Sequence, residues 1–383
     1  MRFQGALERA GFGAIAEFKR RSPSAGDIRP GADVAQIARG YEQAGARAMS
    51  VLVDDRFAGS WDDLRAARAA TDLPLLAKGF FSTPADLETA REAGADAVLL
   101  LLRDLDDVAA AALMRVARTL GLCTLVEAHD EAELARAVAL DAPVIGINAR
   151  DLSTFRIDRA AQLDLLATAP RDRVIVAESG IETRAQAAVA ELAGASAVLV
   201  GSTLMRSPDP GEKLRELIAR PLVKVCGLTR QEDVDAAVDA GADMVGFILA
   251  AESPRRADAL LDAPDSVLRV AVFVGEAHDT DADLVQLYER ENGHRSRDAA
   301  LLRGGASVGT VVDLPWERGD PSHVERARST VGRVMLAGGL GPENVAEAIE
   351  RVRPWAVDSA RSTETSPGIK DHDSLRAWVE AAR

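Results

Sequence analysis

Short, unbroken apolar runs recur along this chain, each followed by a polar or glycine-containing loop and then by an amphipathic helical stretch. Unbroken rather than alternating apolar character indicates strands that are buried on both faces, as in parallel sheets. Eight strand–helix units of this size favour a (β/α)8 barrel, and an open doubly wound sheet is less favoured because no Gly-x-Gly-x-x-Gly follows the first run. The eight runs cover residues 14–18, 48–53, 74–78, 97–102, 123–128, 144–148, 174–178 and 197–201.

A junction between helix and strand also repeats. The tripeptide Ala-Gly-Ala occurs at 44–46, 93–95, 193–195 and 240–242, where the glycine can end a helix in the left-handed region. The stretch 84–93 is a clear helix, with Thr83 as its N-cap and Pro84 at its first position.

The pattern restarts after residue 220. Strand-like runs follow at 222–226, 244–249, 270–274, 284–287, 309–314, 334–336 and 355–358, and 299–303 is a candidate for an eighth. Only five residues separate that candidate from the next run, too few for a parallel crossover helix, and Gly304-Gly305 indicates a hairpin turn instead. We therefore predict an α/β chain of two consecutive (β/α)8 TIM barrels, residues 1–220 and 221–383, the second irregular or shortened around residues 285–315.

Composition limits the partners and the compartment. The formal net charge of −14 argues against non-specific nucleic-acid binding, which needs a basic surface. The two cysteines, Cys123 and Cys226, show neither a disulfide framework nor metal-ligand spacing. With no signal-peptide pattern and no uncharged run of membrane-spanning length, we expect a cytoplasmic protein that binds neither membrane nor nucleic acid.

Polar residues gather at the ends of the predicted strands of the first half. Glu17 and Lys19 lie two apart, hence on one face of the first strand; taken alone, they could equally be a solvated ion pair on an edge strand. In a barrel, however, strand ends meet at one mouth, where lysines and carboxylates shift each other's pKa values as acid/base work requires. The other members of this predicted mouth are Lys78, Glu127, Asn148, Arg150, Glu178 and Ser179.

Small residues with free backbone N–H groups follow the last two strands of this half. Ser179-Gly180 and Gly201-Ser202 each precede a helical stretch, an arrangement that suits a phosphate. Plain turn chemistry explains either pair alone, but their joint place in units seven and eight favours phosphate binding.

Three motifs of the first half resemble the indole-3-glycerol-phosphate synthase family. They are Ile15-Ala16-Glu17-Phe18-Lys19-Arg20-Arg21-Ser22-Pro23-Ser24, Gly146-Ile147-Asn148-Ala149-Arg150-Asp151-Leu152 and Glu178-Ser179-Gly180-Ile181. The resemblance covers nearly all of residues 1–220. It implies closure of the indole ring from carboxyphenylamino-deoxyribulose phosphate, with loss of CO2 and water.

The same resemblance implies a role for each matching residue. Lys78 would be the general acid at the substrate carbonyl, Glu127 the acid/base in dehydration, and Lys19 the partner of the anthranilate carboxylate. Glu17, Asn148, Glu178 and Ser179 would position these groups, with Arg150 in the same polar shell. Phosphate would bind at Ser22, Gly180, Gly201 and Ser202, and the aromatic ring at Phe57, Phe80 and Leu152. Two departures from the family pattern are Gly79 in place of an Asp after Lys78 and a segment of only 13 residues before the first strand.

Candidate chemistry in the second half begins with a thiol at the end of a buried strand. Most buried cysteines are inert, but Cys226 is followed by a glycine and a helix start, as at a barrel mouth. Asp313 ends a strand roughly across the barrel, although it could simply cap a turn. Gly338-Gly339 and Asp358-Ser359 offer a second small-residue phosphate cradle in the last two units.

These stretches resemble phosphoribosylanthranilate isomerase, most specifically at 224–229, 336–344 and 367–371. The family catalyses an Amadori rearrangement, which implies Cys226 as the base at the sugar C2 proton, Asp313 as the acid that opens the furanose ring, and Arg255 as the contact of the anthranilate carboxylate. The middle departs from the family: Gln-Leu-His-Gly is Gln286-Leu287-Tyr288-Glu289 here, and residues 314–317 replace a glycine-rich loop.

Together the two resemblances imply a bifunctional enzyme of tryptophan biosynthesis, acting on phosphorylated anthranilate sugars without metal or cofactor. We expect a monomer with two independent active sites. Three alternatives remain open: a synthase with a degenerate second barrel, a non-catalytic phosphosugar-binding protein, and an aldolase-type barrel with a Schiff-base lysine.

Overall fold

Two closed eight-stranded barrels follow one another along the chain in a computed structural model, which describes residues 1–23, 25–151, 154–291, 294–313 and 321–383. The chain divides into two units, one of residues 1–182 and 190–218 and the other of residues 183–189 and 219–383. The predicted fold of two consecutive barrels is confirmed.

All eight strands of the first barrel are parallel to their neighbours, and the barrel closes where the first strand pairs with both the second and the eighth. Nearly every strand residue is buried, because helices cover the outside while side chains fill the inside, as the unbroken apolar runs predicted. The strands are Gly13–Phe18, Ala48–Leu52, Leu75–Lys78, Ala97–Leu101, Cys123–Ala128, Val144–Asn148, Val174–Glu178 and Ala197–Val200.

The helices around this barrel begin and end at the predicted signals. Thr83 caps helix Pro84–Glu92 through a reciprocal capping box with Asp86. The central glycines of the three Ala-Gly-Ala junctions here, and of the fourth in the second barrel, have φ between 86° and 121°, which confirms their left-handed conformation. The helices are Arg2–Leu7, Val34–Gln43, Trp61–Ala70, Pro84–Glu92, Asp107–Thr119, Glu131–Ala139, Arg159–Thr168, Arg184–Ala193, Ser202–Arg206 and Pro210–Ile218, with a 3-10 turn at Asp55–Phe57 and a small hairpin of Arg21–Ser22 with Gly26–Asp27.

The second barrel also has eight strands, but its fifth strand runs against the other seven. It pairs antiparallel with the fourth and the sixth strands. The other neighbouring strands pair in parallel, as they do in the first barrel. The strands are Leu222–Cys226, Met244–Ile248, Leu268–Val274, Leu284–Glu291, His294–Arg303, Ala306–Asp313, Val334–Ala337 and Ala356–Ser359.

This reversal confirms the predicted irregularity around residues 285–315 and has a local cause. Gly304 and Gly305 both take positive φ, 54° and 79°, so the chain turns back within two residues and needs no crossover helix. The described helices follow strands one, six, seven and eight: Gln231–Asp239, Pro321–Ser329, Val345–Val352 and His372–Ala381. A 3-10 turn at Arg361–Thr363 and a hairpin of Glu364–Ser366 with Ile369–Lys370 complete this unit.

The reversal also decides which residues reach the mouth of the second barrel. The other strands bring their last residues to the mouth, whereas the fifth strand brings its first residues, His294 and Arg295, to that end.

None of the helices within the described residues combines the length and the apolar character that a membrane span requires.

Candidate active sites

A cavity of about 380 Å³ opens at the carboxyl ends of the strands of the first barrel. It brings together most of the residues predicted for this mouth. Those that line it are Glu17, Lys19, Phe57, Lys78, Phe80, Glu127, Asn148, Arg150, Ser179, Gly180, Gly201 and Ser202.

Lys78 is the centre of this site. Its Nζ lies 2.8 Å from Glu178 Oε2 and 3.3 Å from Glu17 Oε2, and Glu17 Oε1 lies 2.7 Å from Lys19 Nζ. Lys78 is on the third strand and Glu178 on the seventh, which lie on opposite sides of the barrel, so these charges do not form an exposed edge-strand pair. Glu17 and Glu178 are buried.

The surroundings separate the pKa values of the two carboxyls. Burial alone would raise the pKa of Glu17, but the charges of Lys19 and Lys78 outweigh it and lower the pKa to about 2. At Glu178, burial dominates over the attraction of Lys78 and raises the pKa to about 7. Burial works against the charge of Lys78, but its carboxylate neighbours raise its pKa above the usual value, so Lys78 is held as an ammonium ion.

Glu127 lines the same cavity but has different neighbours. Its Oε1 accepts a hydrogen bond of 3.0 Å from Asn148 Nδ2 and lies 3.1 Å from His129 Nε2. Burial opposes ionisation, but the contact with His129 and the charge of Lys78 outweigh it and lower the pKa of Glu127. Glu127 is therefore held as a carboxylate.

His129 is a residue that the sequence analysis missed. It follows strand Cys123–Ala128 directly, and its Nδ1 lies 3.0 Å from Glu133 Oε2, so its ring stands between two carboxylates. Burial would lower the pKa of His129, but Glu127 and Glu133 raise it to about 9. Its place directly after a strand end was the signal that could have revealed it.

The predicted phosphate side of the cavity has backbone shaped for a close approach. Ser179 and Gly180 both take left-handed conformations, with φ of 69° and 71°, an uncommon state for serine that fits strain stored at functional sites. At Gly201 a methyl group would lie 2.2 Å from Glu17 Oε1 and 3.0 Å from Lys19 Nζ, so the charged side chains need a glycine there.

Three other residues predicted for this site are Phe80, Ser22 and Leu152, and each has a different position. The ring of Phe80 is partly exposed and stacks on the Arg56 guanidinium, 3.7 Å from its centroid. Ser22 is buried, and its Oγ accepts a hydrogen bond of 3.2 Å from the Ala25 amide; it is not among the lining residues of the cavity. Leu152 lies outside the described residues.

A larger cavity, of about 860 Å³, opens at the mouth of the second barrel and is lined by Cys226, Arg255, Asp313, Gly338, Gly339, Asp358 and Ser359. Cys226 is buried, and its sulfur accepts a hydrogen bond of 3.3 Å from Lys224 Nζ. Burial and the charge of Asp358 raise the pKa of the Cys226 thiol, and Lys224 opposes them.

Asp313 lines the same cavity as Cys226 and is held by two polar side chains. Its Oδ2 accepts hydrogen bonds from Tyr288 Oη at 3.1 Å and from Arg295 at 2.8 Å. The guanidinium of Arg295 also stacks on the Tyr288 ring, 4.4 Å from its centroid. Tyr288 stands where the resembled family has His, and Arg295 comes from the reversed strand, so sequence comparison alone could not place either beside Asp313.

Arg255 is held rather than free in its cavity. Its Nε donates to both carboxylate oxygens of Glu364, at 2.8 and 3.0 Å, and Lys370 Nζ lies 3.0 Å from the same carboxylate. A substrate carboxylate at Arg255 would therefore use the remaining guanidinium N–H groups.

The predicted cradle of the last two units is present in the backbone. Gly338 and Gly339 take φ of 95° and 79°, and Ser359 Oγ donates to the Leu340 carbonyl at 2.8 Å. Asp358 behaves differently from its neighbours: its Oδ2 pairs with Lys224 Nζ at 2.9 Å. A carboxylate repels phosphate, so contact of the phosphate with Asp358 would have to be through its backbone.

Among the described residues, no group of three or more His, Cys, Asp or Glu side chains is arranged to hold a metal ion. The side chains that line the two cavities include carboxylates and cations.

Comparison with known families assigns a different match to each half of the chain. Residues 2–217 match the model of the family described as indole-3-glycerol phosphate synthase. Residues 278–381 match the model described as N-(5'-phosphoribosyl)anthranilate isomerase.

Individual relatives agree for the first half. An indole-3-glycerol phosphate synthase of Mycobacterium ulcerans strain Agy99 is 44% identical over 214 residues, which span 56% of this chain and 79% of that protein. One of Aromatoleum aromaticum is 48% identical over 204 residues, spanning 53% of this chain and 78% of that protein.

Solved structures of phosphoribosylanthranilate isomerases are also similar to part of the chain. That from Thermotoga maritima is 28% identical, with a TM-score of 0.34, covering 43% of this chain and 98% of its own. That from Thermus thermophilus is 26% identical, with a TM-score of 0.33, covering 42% and 98%. TM-scores below 0.5 add no support of their own.

Proposed function

The chain belongs to the indole-3-glycerol phosphate synthase family, and we infer that it is a bifunctional enzyme of tryptophan biosynthesis whose second half is a phosphoribosylanthranilate isomerase. We assign the synthase to residues 1–220 and the isomerase to residues 221–383. The product of the isomerase, carboxyphenylamino-deoxyribulose phosphate, is the substrate of the synthase. We propose that the reactions run in the cytoplasm.

In the proposed synthase reaction, the anthranilate ring carbon attacks the sugar C2 carbonyl while Lys78 protonates the carbonyl oxygen. The ring then loses its carboxyl group as CO2, and the C2 hydroxyl leaves as water with Glu127 as acid/base. Lys19 would hold the anthranilate carboxylate until it is lost, and Glu17 and Glu178 hold the ammonium of Lys78. The phosphate would lie against Gly180, Gly201 and Ser202.

In the proposed isomerase reaction, Asp313 gives a proton to the furanose ring oxygen, and the C1–O bond breaks to leave an iminium ion. Cys226 then takes the C2 proton, and the resulting enolamine becomes the amino-ketose. Tyr288 and Arg295 would orient Asp313. The phosphate would lie at Gly338, Gly339 and the backbone of strand Ala356–Ser359.

One observation carries the synthase proposal: the Lys78 ammonium contacts both Glu17 and Glu178, and the Glu127 carboxylate lines the same cavity. A non-catalytic phosphosugar-binding protein would need only the glycine-rich cradle. Juxtaposed acid and base are what a dehydration needs and what a binding protein does not.

Formation of indole-glycerol phosphate from its sugar precursor tests the synthase half. Lys78→Met should lower the turnover about 10²- to 10⁴-fold, because the general acid is lost. The matched control is Lys213→Met, since Lys213 pairs with Glu216 on helix Pro210–Ile218 and does not line the cavity. Retained turnover in Lys78→Met would overturn this mechanism, and trapping of substrate on Lys78 by borohydride would favour the Schiff-base alternative.

Isomerisation of phosphoribosylanthranilate tests the other half. Cys226→Ser should lose isomerase turnover and keep synthase turnover, while Cys123→Ser should keep both, since Cys123 is buried in a strand of the first barrel. Equal, negligible isomerase rates in wild type and Cys226→Ser would mean that the second barrel is degenerate.

A further inference from the structure

Lys224 is a fully buried lysine that lies two residues before Cys226 on the same strand, with its side chain on the same face. Its Nζ donates three hydrogen bonds: to Asp358 Oδ2 at 2.9 Å, to Gln286 Oε1 at 2.7 Å and to Cys226 Sγ at 3.3 Å. An ammonium group has three donors, so all of its hydrogen-bonding capacity is used.

The three partners of Lys224 Nζ differ in charge and in strength as hydrogen-bond acceptors. Asp358 supplies the opposite charge that a buried ammonium needs, and Gln286 supplies a neutral acceptor. These two contacts fix the position of Nζ. The third partner is unusual, because a neutral thiol is a weak acceptor and a thiolate accepts a strong, charge-assisted bond. A lysine that served only to neutralise Asp358 would have no need to direct its last donor at a sulfur.

The neighbouring strand leaves room for this contact. At Gly246 a methyl group would lie 2.8 Å from Cys226 Sγ and 2.8 Å from Lys224 Cε. The absence of a side chain at Gly246 therefore lets the two side chains lie side by side beneath the cavity.

We propose that Lys224 is a positioning residue that stabilises the thiolate form of Cys226 and fixes the direction of its sulfur toward the cavity. The catalytic part of this proposal rests on the isomerase function proposed above. Cys226 can take the C2 proton only as a thiolate, and the Lys224 ammonium favours that form. Lys224 itself does not line the cavity, so it acts through Cys226.

Other charged groups near the Cys226 sulfur also affect its ionisation. Asp358 acts against the thiolate, and Lys370, whose Nζ donates to the Cys226 carbonyl at 2.7 Å, acts for it. Tyr288 and Arg295 also interact electrostatically with Cys226, and Asp313, which contacts both, lines the same cavity. Burial raises the pKa of the thiol first and Asp358 second, and Lys224 opposes both.

The test is the ultraviolet absorbance of the thiolate as a function of pH, read as the difference between each protein and its Cys226→Ser counterpart. This difference removes the contribution of Cys123. Loss of a contacting opposite charge should move the midpoint of Cys226 upward by about 1 pH unit or more in Lys224→Met. The acid limb of isomerase turnover should move upward by the same amount, with the largest loss of kcat at low pH and little change in KM.

Lys370→Met is the matched control, because it removes a second buried lysine that touches the backbone of Cys226 but not its sulfur. A smaller shift than in Lys224→Met is expected. An unchanged midpoint in folded Lys224→Met, or equal shifts in both variants, would overturn the proposal. If Lys224→Met does not fold, Lys224→Gln retains two N–H donors without the charge, and the same shift is required of it.

The absorbance titration does not depend on turnover. If the wild type has no isomerase activity, the proposed function is overturned. The midpoint of the Cys226 titration would still show whether Lys224 stabilises the thiolate.

Discussion

Replacing Glu178 by Gln should stabilise the first barrel at alkaline pH while it lowers synthase activity. Glu178 is fully buried, and burial raises its pKa from 4.5 to about 7. A glutamine has nearly the same shape, carries no charge at any pH and can still accept the hydrogen bond from Lys78 Nζ, which is 2.8 Å in the wild type.

The two pKa values give the magnitude. A difference of about 2.5 between them, at 1.36 kcal/mol per pH unit, is on the order of 3 kcal/mol. Because the folded pKa is higher than the unfolded one, the folded barrel binds the proton more tightly, and ionisation of Glu178 costs stability. That cost is absent below pH 4.5, grows between pH 4.5 and about 7, and is complete above pH 7. Glu178→Gln should therefore be more stable than wild type only in the upper part of this pH range.

Hydrogen exchange followed by mass spectrometry measures this in the full chain, because peptides of strands Cys123–Ala128 and Val174–Glu178 report on the first barrel separately from the second. The free energy of opening should be higher in Glu178→Gln than in wild type at pH 8, and the two should be nearly equal at pH 5. Synthase turnover should fall, since Lys78 loses the carboxylate that fixes its ammonium group at 2.8 Å.

Glu17→Gln is the matched control, because the same reasoning predicts the opposite sign. The charges of Lys19 and Lys78 overcome burial and lower the pKa of Glu17 to about 2, so its ionised form adds stability on the order of 3 kcal/mol above pH 4.5 and loses it as the pH falls toward 2. Glu17→Gln should therefore be less stable than wild type at pH 8. If Glu178→Gln were destabilised equally at pH 5 and pH 8, our account of its burial would be refuted.

Three further predictions concern other parts of the first barrel. Gly201→Ala should raise KM for the phosphorylated substrate and lower synthase kcat, because its methyl would lie 2.2 Å from Glu17 Oε1; unchanged steady-state kinetics would count against a tight cradle. His129→Gln removes an imidazolium whose pKa is about 9 and whose charge lowers the pKa of Glu127. The acid limb of the synthase pH–rate profile should therefore move to higher pH. An unchanged acid limb would show that His129 does not control the ionisation of Glu127. Thr83→Ala should cost about 1 kcal/mol of stability in urea unfolding with no change in turnover, since it removes the cap of helix Pro84–Glu92; an effect on turnover would contradict a purely structural role.

Much of the fold could be predicted from the sequence because its signals are local. Unbroken apolar runs report strands buried on both faces, and the glycines of the Ala-Gly-Ala junctions report helix ends that need positive φ. Even the irregular part of the second barrel was visible, since Gly304-Gly305 leaves no room for a helix. The strand ends then identified most of the first site, because parallel strands of one barrel all end at one mouth.

Only the tertiary structure decided which of these groups touch. Glu178 and Lys78 are 100 residues apart, so the sequence could not show that they pair, nor that the lysine charges outweigh burial at Glu17 while burial prevails at Glu178. Arg295 reaches Asp313 because its strand is reversed, and Lys224 reaches Cys226, Gln286 and Asp358 because the barrel closes around it. Sequence patterns therefore determined the elements and the end of each barrel at which chemistry takes place. Distance, desolvation and the partner of each charge depend on residues far apart in the chain, and only closure of the barrels determines them.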